Sequence, residues 1–232
     1  MYFTESVKCG QAACEPGGNT LSRNDTPVRI APPGKGASVL IPLLQVRGEW
    51  NILFEVRNPG ITQGGEICFP GGRVEPGEKP SDAAVRETQE ELLVRPEQIR
   101  CVEAQNLITG PNGRDIYSYS GVLEGYQNTF SESEVARIFT VPVKELLRQR
   151  PDTYEAHYEI RLPDNFPYEQ IPGGKNYPWA VIPRRLYFYH YQENRIWGLT
   201  AELLHAFLEN SRSGMKFSCG ERPETTPSCA VR

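Results

Sequence analysis

Short apolar stretches, separated by glycine, proline and polar residues, run from about residue 37 to residue 208. The stretches 37–44 and 51–57 are rich in Val, Ile, Leu and Phe, a composition typical of buried strands. The same criteria predict further strands at 67–69, 102–108, 115–123, 136–142, 153–161 and 184–191. We expect these strands to supply the sheet of the fold.

A helix is predicted between the third and the fourth strand, because apolar residues recur there with helical spacing. Ala84, Thr88 and Leu92 recur every four residues, so one stripe of this helix can pack against a sheet. Ser81 or Asp82 can cap its first turn, because both side chains accept hydrogen bonds from free backbone amides.

Two more helices are predicted later in the chain. Residues 143–150 form a short helix and residues 197–208 an amphipathic one. This order of elements indicates an α/β fold of the α+β type, with a mixed β-sheet flanked by helices. The segment 1–36 is predicted to be irregular and 213–232 to be a disordered tail, which leaves 37–212 as the folded domain.

Composition narrows the class of protein. The chain has 232 residues, of which 38% are hydrophobic and 23% charged, as in an ordinary soluble globular protein. A net charge of -4 gives no electrostatic footprint for nucleic acid, and no apolar run is long enough to span a bilayer. The first residues lack the features of a signal peptide, so we expect a cytoplasmic protein without nucleic-acid or membrane partners. The sequence leaves a homodimer open.

Three carboxylates are crowded onto the first predicted helix. Helical neighbours lie three and four residues apart, so Glu87, Glu90 and Glu91 share one face. Like charges at this spacing destabilise an isolated helix by about 0.2–0.5 kcal/mol per pair. A bound cation would reverse the repulsion, and hard oxygen ligands suit Mg²⁺ or Mn²⁺. The alternative for so short a pattern is a solvated, charged helix face.

The residues before the three glutamates make the pattern specific. Gly72, Glu78 and Arg86 stand at fixed offsets, a combination with a chance frequency on the order of one in ten million per start position. The full pattern, G-x5-E-x7-R-E-U-x-E-E-x-G-U with U apolar, resembles the Nudix box. Within such a box, Glu78 is either a partner of Arg86 or an outer metal ligand.

The box of this chain departs from the Nudix pattern at two positions. Thr88 stands where the family prefers an aliphatic residue, although it still presents a methyl group to the core. Leu93 stands where the family has a glycine that ends the helix in a left-handed conformation. A leucine resists that conformation, so we expect the helix to run to about Leu93 with Arg95 and Pro96 supplying the stop.

The resemblance implies an α/β/α sandwich and metal-assisted hydrolysis of a nucleoside diphosphate linked to another group. Glu87 and Glu91 are the expected principal ligands, with Glu90 as a third ligand, directly or through water. The family pattern also implies a contribution from the backbone carbonyl of Gly72. Arg86 is expected to pair with acidic residues of the box and so to orient the ligands.

The general base is open, because the family draws it either from the box or from a later loop. Glu90 is the candidate in the box, and Glu132 and Glu134 are candidates in the loop, where both could equally be ordinary surface carboxylates. Asp115 is a weaker candidate, since it follows an Asn-Gly turn and suits a hairpin. We take Glu90, Glu134 and Arg86 as the catalytic candidates.

Three segments outside the box resemble the coenzyme A pyrophosphatases of the Nudix superfamily. Residues 53–58 and the turn at 69–72 are similar to that subfamily's upstream motif, L-L-T-x-R-S followed by F-P-G-G. Residues 133–143 resemble E-V-x-x-V-F-x-V-P-L, and residues 195–201 resemble I-W-G-x-T-A. The resemblance implies cleavage of coenzyme A or acyl-CoA to 3′,5′-ADP and a 4′-phosphopantetheine product.

The upstream motif is incomplete in this chain. The interval from Arg57 to Phe69 is one residue short, Asn58 replaces the serine, and no arginine lies within the interval. The loss of that arginine matters because a guanidinium there could contact phosphate.

Candidate substrate-binding residues lie around these motifs. Arg57 could bind phosphate bidentately, or it could form a salt bridge at the edge of a strand. Gly71 belongs to the glycine turn, and Lys175 lies in the loop 165–183, which is rich in Pro, Gly and aromatic residues and could act as a lid. Trp197 could stack on a base, although a Trp before a leucine-rich helix is more often a core residue.

Two rival functions stay open. The first is a Nudix hydrolase of ADP-ribose or another nucleoside diphosphate derivative, which the box alone does not exclude. The second is a non-catalytic regulator that binds nucleotides with a Nudix fold. Such a regulator usually lacks one of the metal-binding glutamates, whereas all three are present here.

Overall fold

Strand β1 (Ala37–Val46) lies in the middle of a mixed seven-stranded sheet in the computed structural model, which describes residues 36–110 and 113–212. It pairs in parallel with β6 and antiparallel with β2 and β4. Strand β5 pairs with β6, and β3 and β7 pair with β2. The bounds of these strands are β2 Glu49–Arg57, β3 Ile67–Cys68, β4 Gly71–Arg73, β5 Ile99–Thr109, β6 Asp115–Leu123 and β7 Val135–Pro142.

A second, antiparallel sheet has three strands, with β9 between β8 and β10. Its strands are β8 (Asp152–Tyr158), β9 (Ile182–Tyr191) and β10 (Asn194–Ile196). The three α-helices of the described residues are α1 (Pro80–Leu92), α2 (Val143–Arg148) and α3 (Gly198–Arg212).

The seven-stranded sheet buries both of its faces, because successive side chains of a strand point to opposite sides. On β1, Leu40 and Leu44 belong to the core that packs under α1. Ile41 and Leu43 belong to the second core, which contains residues of α2 and α3. The layers are therefore helix, sheet and helix, as expected for an α/β/α sandwich.

Helix α1 begins at Pro80, directly after Lys79 in extended conformation. No side chain caps its first turn, so the predicted caps at Ser81 and Asp82 are wrong. Proline suits the first helical position because it has no amide hydrogen to leave unpaired and its φ angle is already helical.

Helix α1 ends at Leu92, close to the predicted residue 93, but not for the predicted reason. Leu93 itself adopts the left-handed conformation, with φ 53° and ψ 43°, so the stop expected from Arg95 and Pro96 is wrong. The leucine is 58% exposed, so its side chain gains little from burial there. Thr88 is fully buried, and its hydroxyl donates to the carbonyl of Ala84 at 2.7 Å.

The other predicted strands and helices are present, with bounds that shift by a few residues. Strand β5 is longer than the predicted 102–108, and β8 ends before the predicted residue 161. The segments 1–35 and 213–232 lie outside the described residues, and the predicted domain limits stay predictions. In the part of the chain that is described, none of the helices is both long enough and apolar enough to cross a bilayer.

Candidate active site

Helix α1 is tied on both sides to the segments that carry the predicted site residues. The amide of Gly71 donates to Oε2 of Glu91 at 2.7 Å, and the amide of Ser131 donates to the carbonyl of Glu91 at 2.8 Å. The amide of Asn58 donates to the carbonyl of Glu134 at 2.7 Å. Glu91 therefore joins the glycine turn to the loop before β7, and that loop is held to the end of β2.

The three box glutamates differ in their exposure to water. The Glu91 side chain is 3% exposed, that of Glu87 15%, and that of Glu90 53%. A uniformly solvated helix face would expose all three. One carboxylate is instead buried against the sheet, one is half-buried, and one reaches solvent.

Arg86 joins four acceptors in the box. Its Nε and Nη2 donate to the two oxygens of Glu78 at 2.9 and 3.1 Å, and its Nη1 donates to Glu87 Oε1 at 2.9 Å. Its Nη1 also lies 3.5 Å from Glu90, and Nη2 donates to the carbonyl of Arg73. The fork lowers the pKa of Glu78 by stabilising its charged form. This geometry favours an orienting role for Arg86.

The glycine turn leaves no room for side chains. A Cβ at Gly72 would lie 2.3 Å from Cδ of Glu87, so the Glu87 carboxylate rests directly on the backbone of this residue. A Cβ at Gly71 would lie 2.4 Å from the carbonyl oxygen of Ser38 on β1. The two glycines thus allow α1 and β1 to approach the same turn from opposite sides.

Burial dominates the electrostatics of Glu91. It raises the pKa of this carboxyl to about 9, and the charges of Glu55 and Glu87 add to the increase. The hydrogen bond from the Gly71 amide and the charge of Arg57 lower this pKa, but by less than burial raises it. Since the charged form is disfavoured without a counterion, the site favours a cation.

Burial also raises the pKa of Glu87, although its hydrogen bond from Arg86 lowers it. The charges of Glu90 and Glu134 contribute to the increase. The site is therefore a set of carboxylates that disfavour one another's charged forms.

Glu55 on β2 was not predicted as a site residue. It is only 1% exposed, and the thiol of Cys68 donates to its Oε1 at 3.2 Å. Burial raises its pKa to about 7, the hydrogen bond from Cys68 and the charge of Arg57 lower it, and Glu134 raises it. The one signal in the sequence is a single charged residue inside the apolar run 52–56.

The candidate bases separate clearly in space. Glu134 is half-buried, and its charge raises the pKa of both Glu55 and Glu87, so it faces the carboxylate cluster. Glu132 is exposed, and its carbonyl accepts from the side chain of Asn58. Asp115 accepts from the Thr109 hydroxyl at the start of β6, which agrees with the hairpin role.

The predicted substrate-binding residues fall into two places. Arg57 lies in the cluster, where its Nη1 is 4.0 Å from Glu91 Oε1 and its Nε donates to the carbonyl of Thr62. Together with Gly71 it lines a cleft of about 180 Å³, whose apolar wall includes Val39, Ile116, Leu199 and Leu203. Lys175 instead lies over the ring of Tyr168, within its own loop, 6.0 Å from the ring centre.

Trp197 precedes α3, and its position corrects one prediction. It is 48% exposed and stacks on Phe188 with ring centres 5.9 Å apart, so the core interpretation is wrong.

The donor set suits a hard divalent cation, because its members are carboxylates, one of which is buried and one half-buried. As the side chains are placed, no three Asp, Glu, His or Cys residues of the described ranges enclose a metal position. Arg86 and the Gly71 amide hold Glu87 and Glu91 instead. Binding of a cation would require these carboxylates to exchange some of their present contacts.

The fold and the site together define a class: α/β/α proteins with an acidic cluster on one helix beside a glycine turn. A family model described as the NUDIX domain matches residues 34–162. The chain therefore belongs to the Nudix family, and its α/β/α sandwich is the Nudix fold. It is an enzyme, a Nudix hydrolase that acts on a phosphoric anhydride, in a family that takes small nucleotide substrates and generally uses divalent metal ions.

Several known proteins are similar to the chain. Nudix hydrolase 3 of Caenorhabditis elegans is 31% identical over 177 residues, which cover 74% of this chain and 71% of that protein. The peroxisomal coenzyme A diphosphatase NUDT7 of Mus musculus is 33% identical over 151 residues, which cover 60% and 62%. A solved structure of a C. elegans Ap4A hydrolase complex aligns with a TM-score of 0.41 at 19% identity, covering 48% of this chain and 83% of that one.

Proposed function

We propose that the chain hydrolyses the pyrophosphate bond of coenzyme A or acyl-CoA, with Mg²⁺ or Mn²⁺ as the cofactor. The products would be 3′,5′-ADP and 4′-phosphopantetheine or its acyl derivative. The observation that carries the proposal is the carboxylate cluster on α1, with Glu91 buried, next to a glycine turn and an open cleft. A pyrophosphate resists attack until its negative charge is neutralised, and carboxylates can hold the cation that does so.

Two sequence similarities support coenzyme A over other nucleotides. The segments 133–143 and 195–201 resemble the coenzyme A pyrophosphatases, and both flank the site in the fold. The mouse relative at 33% identity is named a coenzyme A diphosphatase. The incomplete upstream motif at Arg57 argues against coenzyme A, and ADP-ribose is the main alternative substrate.

In the proposed site, Glu87 and Glu91 would hold the cation, with Glu90 and the carbonyl of Gly72 as further ligands. The bound cation would neutralise the phosphates and activate a water molecule. Glu134 would accept the proton of that water, because it lies near the cluster, in the loop before β7. Glu90 is the alternative base.

The cleft sets limits on how the substrate lies. Its volume of about 180 Å³ is below the roughly 300–1,000 Å³ of pockets that enclose a whole drug-sized ligand. Only part of a coenzyme A molecule would enter it, and the apolar wall suits the slender pantetheine arm. Arg57 and the backbone of Gly71 would then contact the phosphates. Lys175 would reach them only if its loop moved toward the cleft.

The test is a substrate panel with the purified full chain and Mg²⁺. Coenzyme A, acetyl-CoA, ADP-ribose, NADH and a diadenosine polyphosphate are incubated separately, and the products are resolved by chromatography. We expect 3′,5′-ADP from the first two, with the highest kcat/KM of the panel. Glu91→Gln provides the inactive control for contaminating hydrolases. Turnover of ADP-ribose without release of 3′,5′-ADP from coenzyme A would overturn the substrate assignment.

A further inference from the structure

Glu55 occupies an unusual place for a carboxylate. Strand alternation puts its side chain on the same face of β2 as Leu53 and Arg57, and Leu53 belongs to the core under α1. Its neighbours across the sheet are Cys68 on β3 and Ile138 on β7. Glu55 is therefore a middle residue of a strand that is paired on both sides, and it is 1% exposed.

Only one of its two carboxylate oxygens has a partner. The Cys68 thiol donates to Oε1, whereas Oε2 is buried and has no hydrogen-bond partner among the described residues. Leaving a buried polar group unsatisfied costs about 1–3 kcal/mol, and more if the group is charged. A residue kept at this cost needs an explanation beyond packing.

Nearby charges do not supply that explanation. Arg57 is the cation next to Glu55, but its Nε is used by the carbonyl of Thr62 and its Nη1 lies nearest to Glu91, at 4.0 Å. Glu91 and Glu134 are the other charged neighbours, and both are carboxylates. Among the described residues, one arginine thus stands near three carboxylates, of which Glu55 and Glu91 are buried.

A purely structural role for Glu55 would be a protonated side chain that holds Cys68. That role accounts for Oε1 but not for Oε2, which would still lack a partner. It also does not account for the placement of a second buried carboxyl beside Glu91. A divalent cation at this point would satisfy Oε2 and offset the excess negative charge together.

We propose that Glu55 supplies its buried Oε2 to the divalent cation held by Glu87 and Glu91, as a ligand from the sheet opposite the helix. This inference rests on the proposed metal-dependent function and extends its ligand set beyond the box. The cation is then held between α1 and β2, and Cys68 fixes the rotation of the Glu55 carboxylate through Oε1.

The test measures binding of Mn²⁺ alone, without substrate, by the loss of the free-ion signal in electron paramagnetic resonance. Glu55→Gln keeps the size of the side chain and removes its charge. We expect its dissociation constant for Mn²⁺ to increase about 10–100-fold, in the range seen when groups around a metal site are removed. Glu97→Gln, an exposed glutamate in the turn after α1, is the matched control and should bind like the wild type.

Thermal unfolding without metal separates ligation from a structural role. If Glu55 is a metal ligand whose burial costs free energy, its replacement should not harm the metal-free protein. Without metal, the Glu55→Gln protein should be as stable as the wild type or more stable. A melting temperature lowered without metal, together with wild-type Mn²⁺ affinity, would show that Glu55 serves only Cys68 and would overturn the inference.

Glu87→Gln distinguishes the two proposals. If Glu87→Gln loses Mn²⁺ and Glu55→Gln does not, the inference fails and the proposed function stands. If the wild-type chain binds no Mn²⁺, both fail.

Discussion

Arg86 is the residue that connects most of the acidic groups of the site. Its guanidinium contacts Glu78 with two nitrogens and Glu87 with a third. A planar fork can hold two carboxylates at fixed angles, whereas an ammonium acts as a single point of charge. The orientation of the Glu87 carboxylate therefore depends on the shape of Arg86 as well as on its charge.

We predict that Arg86→Lys lowers the affinity for Mg²⁺ about 10–100-fold, in the range known for residues that orient metal ligands. Weaker binding of Mg²⁺ should lower the rate of hydrolysis. Part of the lost rate should return as the Mg²⁺ concentration is raised in a titration of initial rates. Arg148→Lys, an exposed arginine paired with Glu145, serves as the control. A loss of rate with unchanged Mg²⁺ dependence would instead indicate that Arg86 contacts the substrate.

The buried carboxyls predict how stability depends on pH. Glu55 and Glu91 have pKa values of about 7 and about 9 in the fold, above their ordinary value of 4.5, mainly because they are buried. The folded state thus retains protons that the unfolded chain releases, so the free energy of unfolding falls as the pH rises from about 5 to 9. Melting temperatures of the metal-free protein should decrease over this range.

Saturating Mg²⁺ should weaken this decrease, because the cation binds the ionised carboxylates. Glu91→Gln should weaken it also, without metal. A metal-free melting temperature that rises from pH 5 to pH 9 would contradict the assignment of these raised pKa values.

The residues of the box could be found from the sequence because they follow a fixed spacing on one helix. Arg86, Glu87 and Glu91 lie where that spacing predicts, although their burial could not be read from it. Glu55 could not be predicted, since a lone glutamate in an apolar strand belongs to no spacing pattern. Its neighbour Glu91 is 36 positions away in the sequence numbering and comes close only through the fold.

At the scale of elements, the exit of α1 departs from the family pattern, which has a glycine at this position. Leu93 holds a backbone conformation that disfavours side chains with a Cβ, at a cost of about 1–2 kcal/mol. The helix nevertheless ends there because the contacts of the preceding residues fix it. Leu92 is fully buried, and its carbonyl accepts from the Thr129 hydroxyl at 2.7 Å.

We predict that Leu93→Gly stabilises the protein by about 0.5–1 kcal/mol, after allowance for the greater freedom of glycine in the unfolded chain. For a chain of this size the melting temperature should rise by roughly 1–4 °C in differential scanning calorimetry. Leu93→Ala is the control, because it shortens the side chain but keeps the Cβ. A gain as large in Leu93→Ala would show that exposure of the leucine, not its backbone, is the cause.

The strands were predictable because apolar runs bounded by glycine and proline mark them. The pairing between strands was not, since nothing in the run 37–44 indicates that β1 is parallel to β6 and antiparallel to β2. The start of α1 was predicted at the wrong residue for a related reason. Ser81 is a good capping residue in general, but Pro80 already occupies the first helical position.

At the scale of the whole molecule, the metal should act as a clamp between layers. In the proposed site the carboxylates come from α1 and, for Glu55, from the sheet. A bound cation would then add a link between two layers that already meet through an apolar core and the Gly71–Glu91 hydrogen bond. Any ligand that binds only the folded state raises its stability by mass action.

We predict that Mg²⁺ at 100 times its dissociation constant raises the free energy of unfolding by about 2.7 kcal/mol. Urea unfolding at a series of Mg²⁺ concentrations should show the midpoint rising with the logarithm of the concentration. Mg²⁺-free buffer of matched ionic strength controls for screening of surface charges. The rise should be absent in Glu87→Gln, and an equal rise in that variant would place the cation elsewhere.

The parallel pairing of β1 with β6 has a consequence for how the site forms. Ala37 pairs with Ile116, and β2, the glycine turn and α1 all lie in the chain between these two residues. Closing so long a segment lowers the entropy of the chain before the new contacts can stabilise it. These contacts therefore form late in folding. A chain still being synthesised cannot seat α1 on a finished sheet until β6 has emerged. Cation binding would then report the last stage of folding, and the acidic helix would spend the earlier stages unable to hold a metal.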